Sequence, residues 1–249
     1  MKATGNTILV TGGGSGIGRE LARRWHDAGN HVIIAGRRDE ALRETIGDRS
    51  NMVSYAVDVD DPAALRSFVE RLLAEHPKLN VLVNNAGIMR VEDITARRDL
   101  SDAEATVTTN LLGPIRLIDA LIDHLKGQAD AAIINVTSGL ATVPLPDSAT
   151  YSATKAAIHS YTLALRKLLE GKIEVIELVP PGVQTDLTPG QSTRPGYMPL
   201  SEFIYEVMNL FAQQPTPPEI LVERVKPLRF AERDGTVEER LTMLAGLKR

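Results

Sequence analysis

The chain has 249 residues, of which 43% are hydrophobic and 24% charged, and its formal net charge is -4. This balance is typical of a globular protein with a sizeable core, and the mild acidity gives no reason to expect nucleic acid or an anionic membrane surface as a partner. The sequence contains no cysteine, which excludes disulfides, iron–sulfur clusters and thiolate chemistry.

The first residues lead directly into a strand-like stretch. They show neither the apolar region of a secretory signal nor the Arg-rich pattern of a transit peptide. Apolar runs also stay well below the roughly 18 residues that a membrane span needs. We therefore expect a cytoplasmic protein that does not enter a membrane.

Short apolar runs alternate with segments of helical period along most of the chain. The apolar runs predict strands at 7–11, 31–35, 52–57, 81–84, 131–136 and 173–179. The periodic segments predict helices at 17–28, 39–46, 62–75, 101–126, 151–169, 201–213, 218–232 and 236–247. This alternation predicts the α/β class, with one doubly wound Rossmann domain over residues 1–249 and a parallel sheet of six or seven strands flanked by helices.

The character of the sequence changes after residue 179. Pro180-Pro181-Gly182 opens a stretch rich in Pro, Gly and Thr that runs to about Pro199. Because a loop of this length in a compact domain is usually functional, we expect a substrate lid at about 186–214.

A glycine-rich loop follows the first predicted strand and leads into a helix. Glycines let the backbone turn tightly and approach a pyrophosphate, and the N-terminus of the next helix favours an anion. The strand before and the helix after are the context that a dinucleotide site requires. The residues predicted to bind the cofactor here are Gly12, Ser15, Gly16, Ile17 and Gly18.

The end of the second predicted strand indicates which dinucleotide is bound. An NAD site usually has a carboxylate there for the ribose 2′-hydroxyl, whereas this chain has Arg37 and Arg38 before the first acid, Asp39. Guanidinium groups suit a 2′-phosphate, and Arg37 is the stronger candidate. We therefore expect NADP(H), with NAD(H) as the less favoured alternative.

Tyr151 and Lys155 are four residues apart on a predicted helix, so they share one face. A phenol normally loses its proton near pH ~10, and a neighbouring ammonium group favours its ionised form. Such a tyrosine can give or take a proton near neutrality. Ser138, thirteen positions upstream of Tyr151, offers a hydroxyl to hold a substrate oxygen.

Taken together, these motifs resemble the classical short-chain dehydrogenase/reductase family over about residues 7–185. They appear in the family's order, as the glycine loop, Asp58-Val59, Asn84-Asn85-Ala86-Gly87, Asn110, Ser138 and Tyr151-x-x-x-Lys155. Within the family the chain most resembles the DltE-like group of bacterial reductases.

The resemblance implies further cofactor contacts. Asp58 and Val59 would meet the adenine, although Asp58 could instead cap a helix. Asn84 and Asn85 could equally serve to tie a strand to its neighbours. The other positions that the resemblance assigns to the adenosine or nicotinamide side are Asn85, Ala86, Gly87, Pro181, Val183 and Thr185.

The resemblance also implies catalytic roles. Ser138 would hydrogen-bond the substrate oxygen, Tyr151 would be the acid or base, and Lys155 would bind the nicotinamide ribose. Asn110, unfavourable in the middle of a helix, would bend that helix and hold a water that relays protons. The alternative for Asn110 is a polar residue at the surface.

Two departures from the family pattern matter. Pro180-Pro181 stands where the family usually has Pro-Gly, and the sequence shows no counterpart of the family's usual last strand, with its glycine-rich ending near the C-terminus. Family tetramers use that strand in one interface and two long helices in another. We therefore expect a homodimer through 101–126 and 151–169, with a tetramer as the alternative.

The predicted function is reversible reduction of a ketone or aldehyde by NADPH, with a small-molecule carbonyl or alcohol as substrate. Apolar wall candidates favour an uncharged or partly hydrophobic compound, although Arg90 or Arg194 could hold an acid; these wall candidates are Met89, Leu140, Pro144 and Leu145. We expect no metal site, because the five histidines share no ligand spacing. The main alternative is a non-catalytic or regulatory NADP(H)-binding protein. An epimerase with a larger substrate domain and a structural interaction module are the weaker alternatives.

Overall fold

The structure, a computed structural model, describes residues 1–246 and contains a seven-stranded parallel sheet. Its strands are β1 (Thr7–Thr11), β2 (His31–Gly36), β3 (Met52–Ala56), β4 (Val81–Asn84), β5 (Ala132–Val136), β6 (Glu174–Leu178) and β7 (Glu219–Ile220). Six of them confirm the predicted strands, with ends shifted by no more than a single residue.

The connecting helices confirm most of the predicted helical segments. They are α1 (Gly16–Asp27), α2 (Asp39–Ile46), α3 (Pro62–Glu75), α4 (Ser101–Val107), α5 (Gly113–Lys126), α6 (Ala149–Leu168), α7 (Leu200–Phe211), α8 (Lys226–Arg229) and α9 (Val237–Ala245). A π-helical segment, Thr108–Leu112, joins α4 to α5 within the single helix predicted for 101–126. The last residue of the helix predicted for 236–247, Leu247, lies outside the described residues.

The sheet separates two apolar cores because successive strand residues point to opposite faces. Ile8 and Val10 of β1 pack into the core that contains Trp25 of α1 and Phe203 of α7. Leu9, between them, packs into the other core, which α3 and α5 cover. Both faces of the central strands are therefore buried, which explains why β1, β2, β4 and β5 are nearly continuous apolar runs.

The strand order β3-β2-β1-β4-β5-β6-β7 places a change of winding direction between β1 and β4. In sheets of this kind, ligands bind in the crevice at the carboxyl ends of the strands next to this point. The loops after β1 and β4 flank that crevice.

One predicted element is wrong, and with it the expectation that the last strand is missing. Residues 218–232 were expected to be one helix, but Glu219–Ile220 forms β7, parallel to β6. A short 3-10 turn (Glu223–Val225) and α8 follow it. The open edge of β6 supplies hydrogen-bond partners for β7, and Pro227, at the start of α8, prevents one continuous helix. Because β7 is present, a missing strand gives no reason to prefer a dimer over a tetramer.

No helix within residues 1–246 is both long enough and apolar enough to cross a lipid bilayer.

Candidate active site

The glycine loop between β1 and α1 lies at the crevice and is packed too tightly for side chains. Gly12 has a φ of 67°, a left-handed value that favours glycine. A Cβ atom at Gly12 would lie 2.9 Å from the Ala86 Cα, in the chain that follows β4. A Cβ at Gly18 would lie 2.5 Å from the Gly12 carbonyl oxygen, so any side chain at position 18 would collide with the backbone of the loop. This close backbone packing leaves the kind of cradle that a pyrophosphate occupies.

The first turn of α1 faces a cleft of about 370 Å³, which we call the main cleft. Ser15, Gly16 and Ile17 line it. The Ser15 backbone is extended, and its hydroxyl accepts a hydrogen bond from Arg38 Nη2 at 3.3 Å. Because the positive end of the helix dipole faces the main cleft, a phosphate group fits there.

Arg37 and Arg38 follow β2 and are both exposed. They line the main cleft and also an adjoining side cavity of about 170 Å³. Two cations therefore stand where the two cavities meet, beside the glycine loop.

Asp58 and Val59 line the side cavity, after β3. The Asp58 carboxylate accepts a hydrogen bond from the Asp60 backbone N–H at 3.1 Å. The cap of α3 is instead Asp61, which accepts from the Ala63 N–H at 2.8 Å. The alternative that Asp58 caps this helix is therefore wrong.

Asn84, the last residue of β4, and Asn85, which follows it, form hydrogen bonds within the protein. Asn84 Nδ2 donates to Asn135 Oδ1 at 2.9 Å, across to β5. Asn85 Nδ2 donates to the Thr11 carbonyl oxygen at 2.9 Å, which fixes the chain after β4 to the end of β1. Both side chains thus brace the crevice. The same segment also lines the main cleft, with Asn85, Ala86 and Gly87.

Asn110 lies in the π-helical segment and is buried. Its Oδ1 accepts from the Ile88 N–H and its Nδ2 donates to the Ile88 carbonyl oxygen, both at 2.9 Å. Its Nδ2 also lies 3.3 Å from Thr154 Oγ1, which itself donates to the Tyr151 carbonyl oxygen at 2.7 Å. Asn110 therefore connects the chain after β4 with α6, and a π-type distortion of this kind is frequent at functional sites.

Lys155 is buried in α6, and its Nζ donates to the Val136 carbonyl oxygen at 2.8 Å. Burial lowers the pKa of its ammonium group from 10.5 to about 8. The Nζ lies 5.6 Å from the centre of the Tyr151 ring, within the range of a cation–π contact. The predicted pair is thus brought together on one face of α6.

Ser138 follows β5, and its Oγ accepts a hydrogen bond from the Leu140 N–H at 3.1 Å. This bond uses a lone pair of the hydroxyl and leaves its hydrogen for another acceptor. Ser138 and Tyr151 line the main cleft together with Lys155. They also line a third cavity of about 110 Å³, the apolar pocket, so the two hydroxyls stand where cleft and pocket meet.

The chain after β6 forms another wall of the main cleft, with Pro181, Val183 and Thr185. Gln191, which the sequence analysis missed, holds this wall in place. Its Nε2 donates to the Val183 carbonyl oxygen at 2.9 Å and to Thr185 Oγ1 at 3.1 Å. The feature of the sequence that could have indicated this role is an amide side chain within a loop rich in Pro and Gly.

The sequence analysis also missed Glu177, which is hydrogen-bonded to Thr137, the residue before Ser138. Glu177 of β6 is only 1% exposed, and its Oε1 accepts from Thr137 Oγ1 at 2.7 Å. Its other carboxylate oxygen lies 2.8 Å from His159 Nδ1 on α6. The sequence could have indicated this network, because a glutamate inside a predicted buried strand needs partners for its carboxylate.

His159, Glu177 and Glu219 bring their ligand-type atoms within 4.8 Å of one another. The spacing of the histidines in the sequence does not reveal a group made of one histidine and two glutamates. The protein itself already supplies partners to both carboxylates, since Thr137 donates to Glu177 and Arg229 pairs with Glu219 at 2.5 Å. We therefore treat this group as a network within the protein.

The structure also locates the predicted wall residues. Met89, Leu140 and Leu145 line the apolar pocket. Pro144 is exposed, and the buried Leu145 next to it points inward instead. Of the two candidate acid-binding cations, Arg90 lines the main cleft.

A doubly wound sheet with a dinucleotide-type loop and a Ser, Tyr and Lys set at one crevice defines a class of oxidoreductases. Residues 6–195 match the short chain dehydrogenase family, and the chain belongs to that family. This confirms the resemblance found in the sequence.

Individual relatives agree with this assignment. The chain is 41% identical to the "Uncharacterized oxidoreductase DltE" of Bacillus subtilis (strain 168) over 237 residues, 94% of each chain. A short chain dehydrogenase from Burkholderia cenocepacia in complex with NADP matches with a TM-score of 0.82 at 26% identity, over 97% of this chain and 99% of that one. A 3-ketoacyl-(acyl-carrier-protein) reductase from Brucella melitensis complexed with NADH matches with a TM-score of 0.77 at 27% identity, over 88% and 96%. Similar structures thus hold either nicotinamide dinucleotide.

Proposed function

We propose that this protein is an NADP(H)-dependent oxidoreductase that reversibly reduces a ketone or aldehyde to an alcohol, with Tyr151 as the acid or base. The observation that carries the proposal is the buried ammonium group of Lys155, 5.6 Å from the Tyr151 ring. A buried charge is unfavourable for folding, and such a feature is most readily understood as part of a reactive site.

The residues of the crevice suit a nicotinamide dinucleotide. The cradle at Gly12, which a Cβ would fill, admits a pyrophosphate, and the first turn of α1 supplies N–H donors for it. Asp58 and Val59 would meet the adenine, and Val183 and Thr185 the nicotinamide side. When bound, this cofactor supplies or accepts the hydride.

The chain's own residues would handle the substrate oxygen and its proton. The Ser138 hydroxyl, with its hydrogen free of the bond from Leu140, donates to the carbonyl oxygen. Tyr151 gives its proton to the same oxygen during reduction and takes it back during oxidation. The Lys155 ammonium favours the ionised phenol, which eases the proton transfer in both directions.

The preference for NADP(H) over NAD(H) is a separate part of the proposal. It is supported by Arg37 and Arg38, which line the junction of the main cleft and the side cavity. A guanidinium group there can form charge-assisted hydrogen bonds to a 2′-phosphate.

The central test is the variant Tyr151→Phe, which removes one oxygen atom from the site. It should keep NADPH binding, measured by fluorescence titration, and lose about 10²–10⁴-fold in kcat with ketones and aldehydes. Tyr161→Phe, on the same helix but partly buried against the core that α3 and α5 cover, is the matched control. A wild-type protein that binds NADPH but turns over no member of a broad carbonyl panel would instead favour the non-catalytic alternative.

We also propose a homodimer formed through α4, α5 and α6, in the cytoplasm. Val107 and Leu112 at the α4–α5 junction and Leu163 on α6 are large apolar residues that are exposed in the single chain. Sedimentation at micromolar concentration distinguishes a dimer from a tetramer, and cell fractionation tests the location.

For the lid, we propose that movement is confined to 186–199. The second half of the predicted lid contains α7, whose Phe203 and Val207 are fully buried in the core with Trp25. Hydrogen exchange should therefore be faster in 186–199 than in α7, and cofactor should slow it there.

A further inference from the structure

The apolar pocket decides which molecules can present an oxygen to Ser138 and Tyr151. It measures about 110 Å³ and adjoins the main cleft, with which it shares both of these residues and part of its wall. Most of its wall consists of large apolar side chains, among them Met89, Leu140, Leu145, Leu187, Leu228 and Leu244.

We propose that this pocket selects small, uncharged ketones and aldehydes that carry an apolar group beside the carbonyl, and that it rejects keto acids. This inference rests on the carbonyl reduction proposed above and adds the class of substrate. It follows from three properties of the pocket, namely its polar groups, the absence of charged side chains from its described lining, and the tight packing of one wall.

The buried amide of the pocket lining, Gln191, already has hydrogen-bond partners within the protein. Gln191 is buried, and its Nε2 donates to Val183 and Thr185 while its Oε1 accepts from Thr188 Oγ1 at 2.8 Å. Because these bonds occupy both ends of the Gln191 amide, it has little left to offer a polar substrate group. A carbonyl oxygen is thus the natural polar atom of a ligand here, held at the mouth of the pocket.

Charged side chains lie outside the apolar pocket. Arg90 and Asp186 line the main cleft, and Arg90 pairs with Asp102 at 3.3 Å. Arg194 lies over the Tyr197 ring, 5.2 Å from its centre, and donates to the Tyr197 hydroxyl at 3.4 Å. Within the described residues 1–246, the pocket lining holds no lysine, arginine, aspartate or glutamate. A carboxylate in this pocket would lose water without gaining a cation, which is strongly unfavourable.

Residues of α8 and α9 form one wall of the pocket. Leu244 of α9 lines it, and Leu241 of the same helix packs against the same apolar cluster. On the α8 side the packing is tight, because a Cβ at Gly139 would lie 2.9 Å from Val225 and 3.0 Å from Leu228. This wall favours short apolar groups over bulky ones.

The experiment compares matched substrates with the full-length protein and NADPH. Each pair consists of a straight-chain methyl ketone and the keto acid in which a carboxylate replaces its terminal methyl group, at several chain lengths. The methyl ester of each keto acid serves as the control for size. We expect kcat/KM to be on the order of 100-fold higher for the ketone than for the keto acid, with the ester close to the ketone.

A designed variant tests the physical cause. Leu187→Lys places an ammonium group at the half-buried edge of the pocket and should raise kcat/KM for the keto acids by about 10-fold relative to their ketones. Met243→Lys adds the same charge on the exposed side of α9 and should leave the ratio unchanged.

The outcomes separate this inference from the proposed function. A wild-type protein that reduces keto acids as well as the matched ketones would overturn the inference and leave carbonyl reduction standing. A protein that binds NADPH but reduces none of the substrates would overturn both. Should Leu187→Lys fail to fold, the wild-type comparison alone still decides.

Discussion

The ammonium group of Lys155 is bound to the carbonyl oxygen of Val136, at 2.8 Å, inside the protein. Its partner is thus a backbone dipole at the end of β5, which compensates a buried charge only in part. Burial lowers the pKa of Lys155 to about 8. The chain therefore keeps in its core a cation that weakens the fold and stands beside the Tyr151 ring.

Lys155→Met should make the apoprotein more stable while abolishing turnover. Methionine fills a similar volume without a charge, so the free energy of unfolding near neutral pH should rise by about 1–2 kcal/mol, even though Val136 loses a donor. Denaturant unfolding of the variant and the wild type measures this difference. Lys167→Met is the control, since Lys167 lies on the same helix but is exposed.

The pH dependence of that difference has a definite sign. The pKa of Lys155 is about 8 when folded and 10.5 when unfolded, so between these values the unfolded chain binds more protons. The penalty of the buried charge is therefore fully present below about pH 8 and is relieved as the pH rises toward 10.5. The advantage of Lys155→Met should shrink over this window. A Lys155→Met protein less stable than the wild type at neutral pH would contradict the explanation.

Arg37→Ala should weaken NADPH without affecting NADH. A charge-assisted hydrogen bond to a 2′-phosphate contributes about 1.5–3 kcal/mol, so KM for NADPH should rise by roughly 10–100-fold. Arg38→Ala should have a smaller effect, because Arg38 also donates to Ser15 at 3.3 Å. Steady-state kinetics with both cofactors provide the measurement.

Arg43→Ala is the control for the arginine variants, since its guanidinium group pairs with Asp39 on the outer surface of α2. It should leave both KM values unchanged. A wild-type preference for NADH that persists in Arg37→Ala would reject the NADP(H) assignment.

Much of the fold follows from the sequence because the signals are local. Apolar runs bounded by turns predicted the first six strands, and helical periodicity predicted α1, α2 and α3. The glycine loop and the pair Tyr151 and Lys155 each lie within a short stretch of sequence. Their spacing was therefore enough to predict them as candidate site residues.

The elements that were missed depend on partners far away in the chain. β7 exists because residues 219 and 220 find the free edge of β6, and no pattern in a short window reveals such a partner. The bonds of Glu177 reach Thr137 and His159, which are 40 and 18 positions away. Asn110 was named as a site residue through the family resemblance, but its partners were not predicted: its side chain satisfies the backbone of Ile88, 22 positions away, rather than facing solvent.

Glu177→Ala should reduce turnover although Glu177 touches neither main cleft nor apolar pocket in the described structure. Thr137, which donates to Glu177, stands between Val136, the acceptor of Lys155, and Ser138. Without the carboxylate this segment loses its anchor, and a displacement of about 1 Å at a reacting group can reduce the rate by about 10²-fold. We therefore expect kcat to fall by at least about 10-fold while KM for NADPH stays within about 3-fold.

Two further variants separate positioning from general destabilisation. Glu177→Gln keeps one acceptor oxygen for Thr137 and should recover much of the lost kcat. Glu174→Ala, at the opposite end of β6, removes the carboxylate that pairs with the N-terminus of the chain and should lower stability without lowering kcat. If Glu174→Ala and Glu177→Ala reduce kcat by the same factor, Glu177 contributes only to the stability of the sheet. A loss confined to Glu177→Ala and reversed by glutamine identifies a positioning residue, because a purely structural role would not separate kcat from KM in this way.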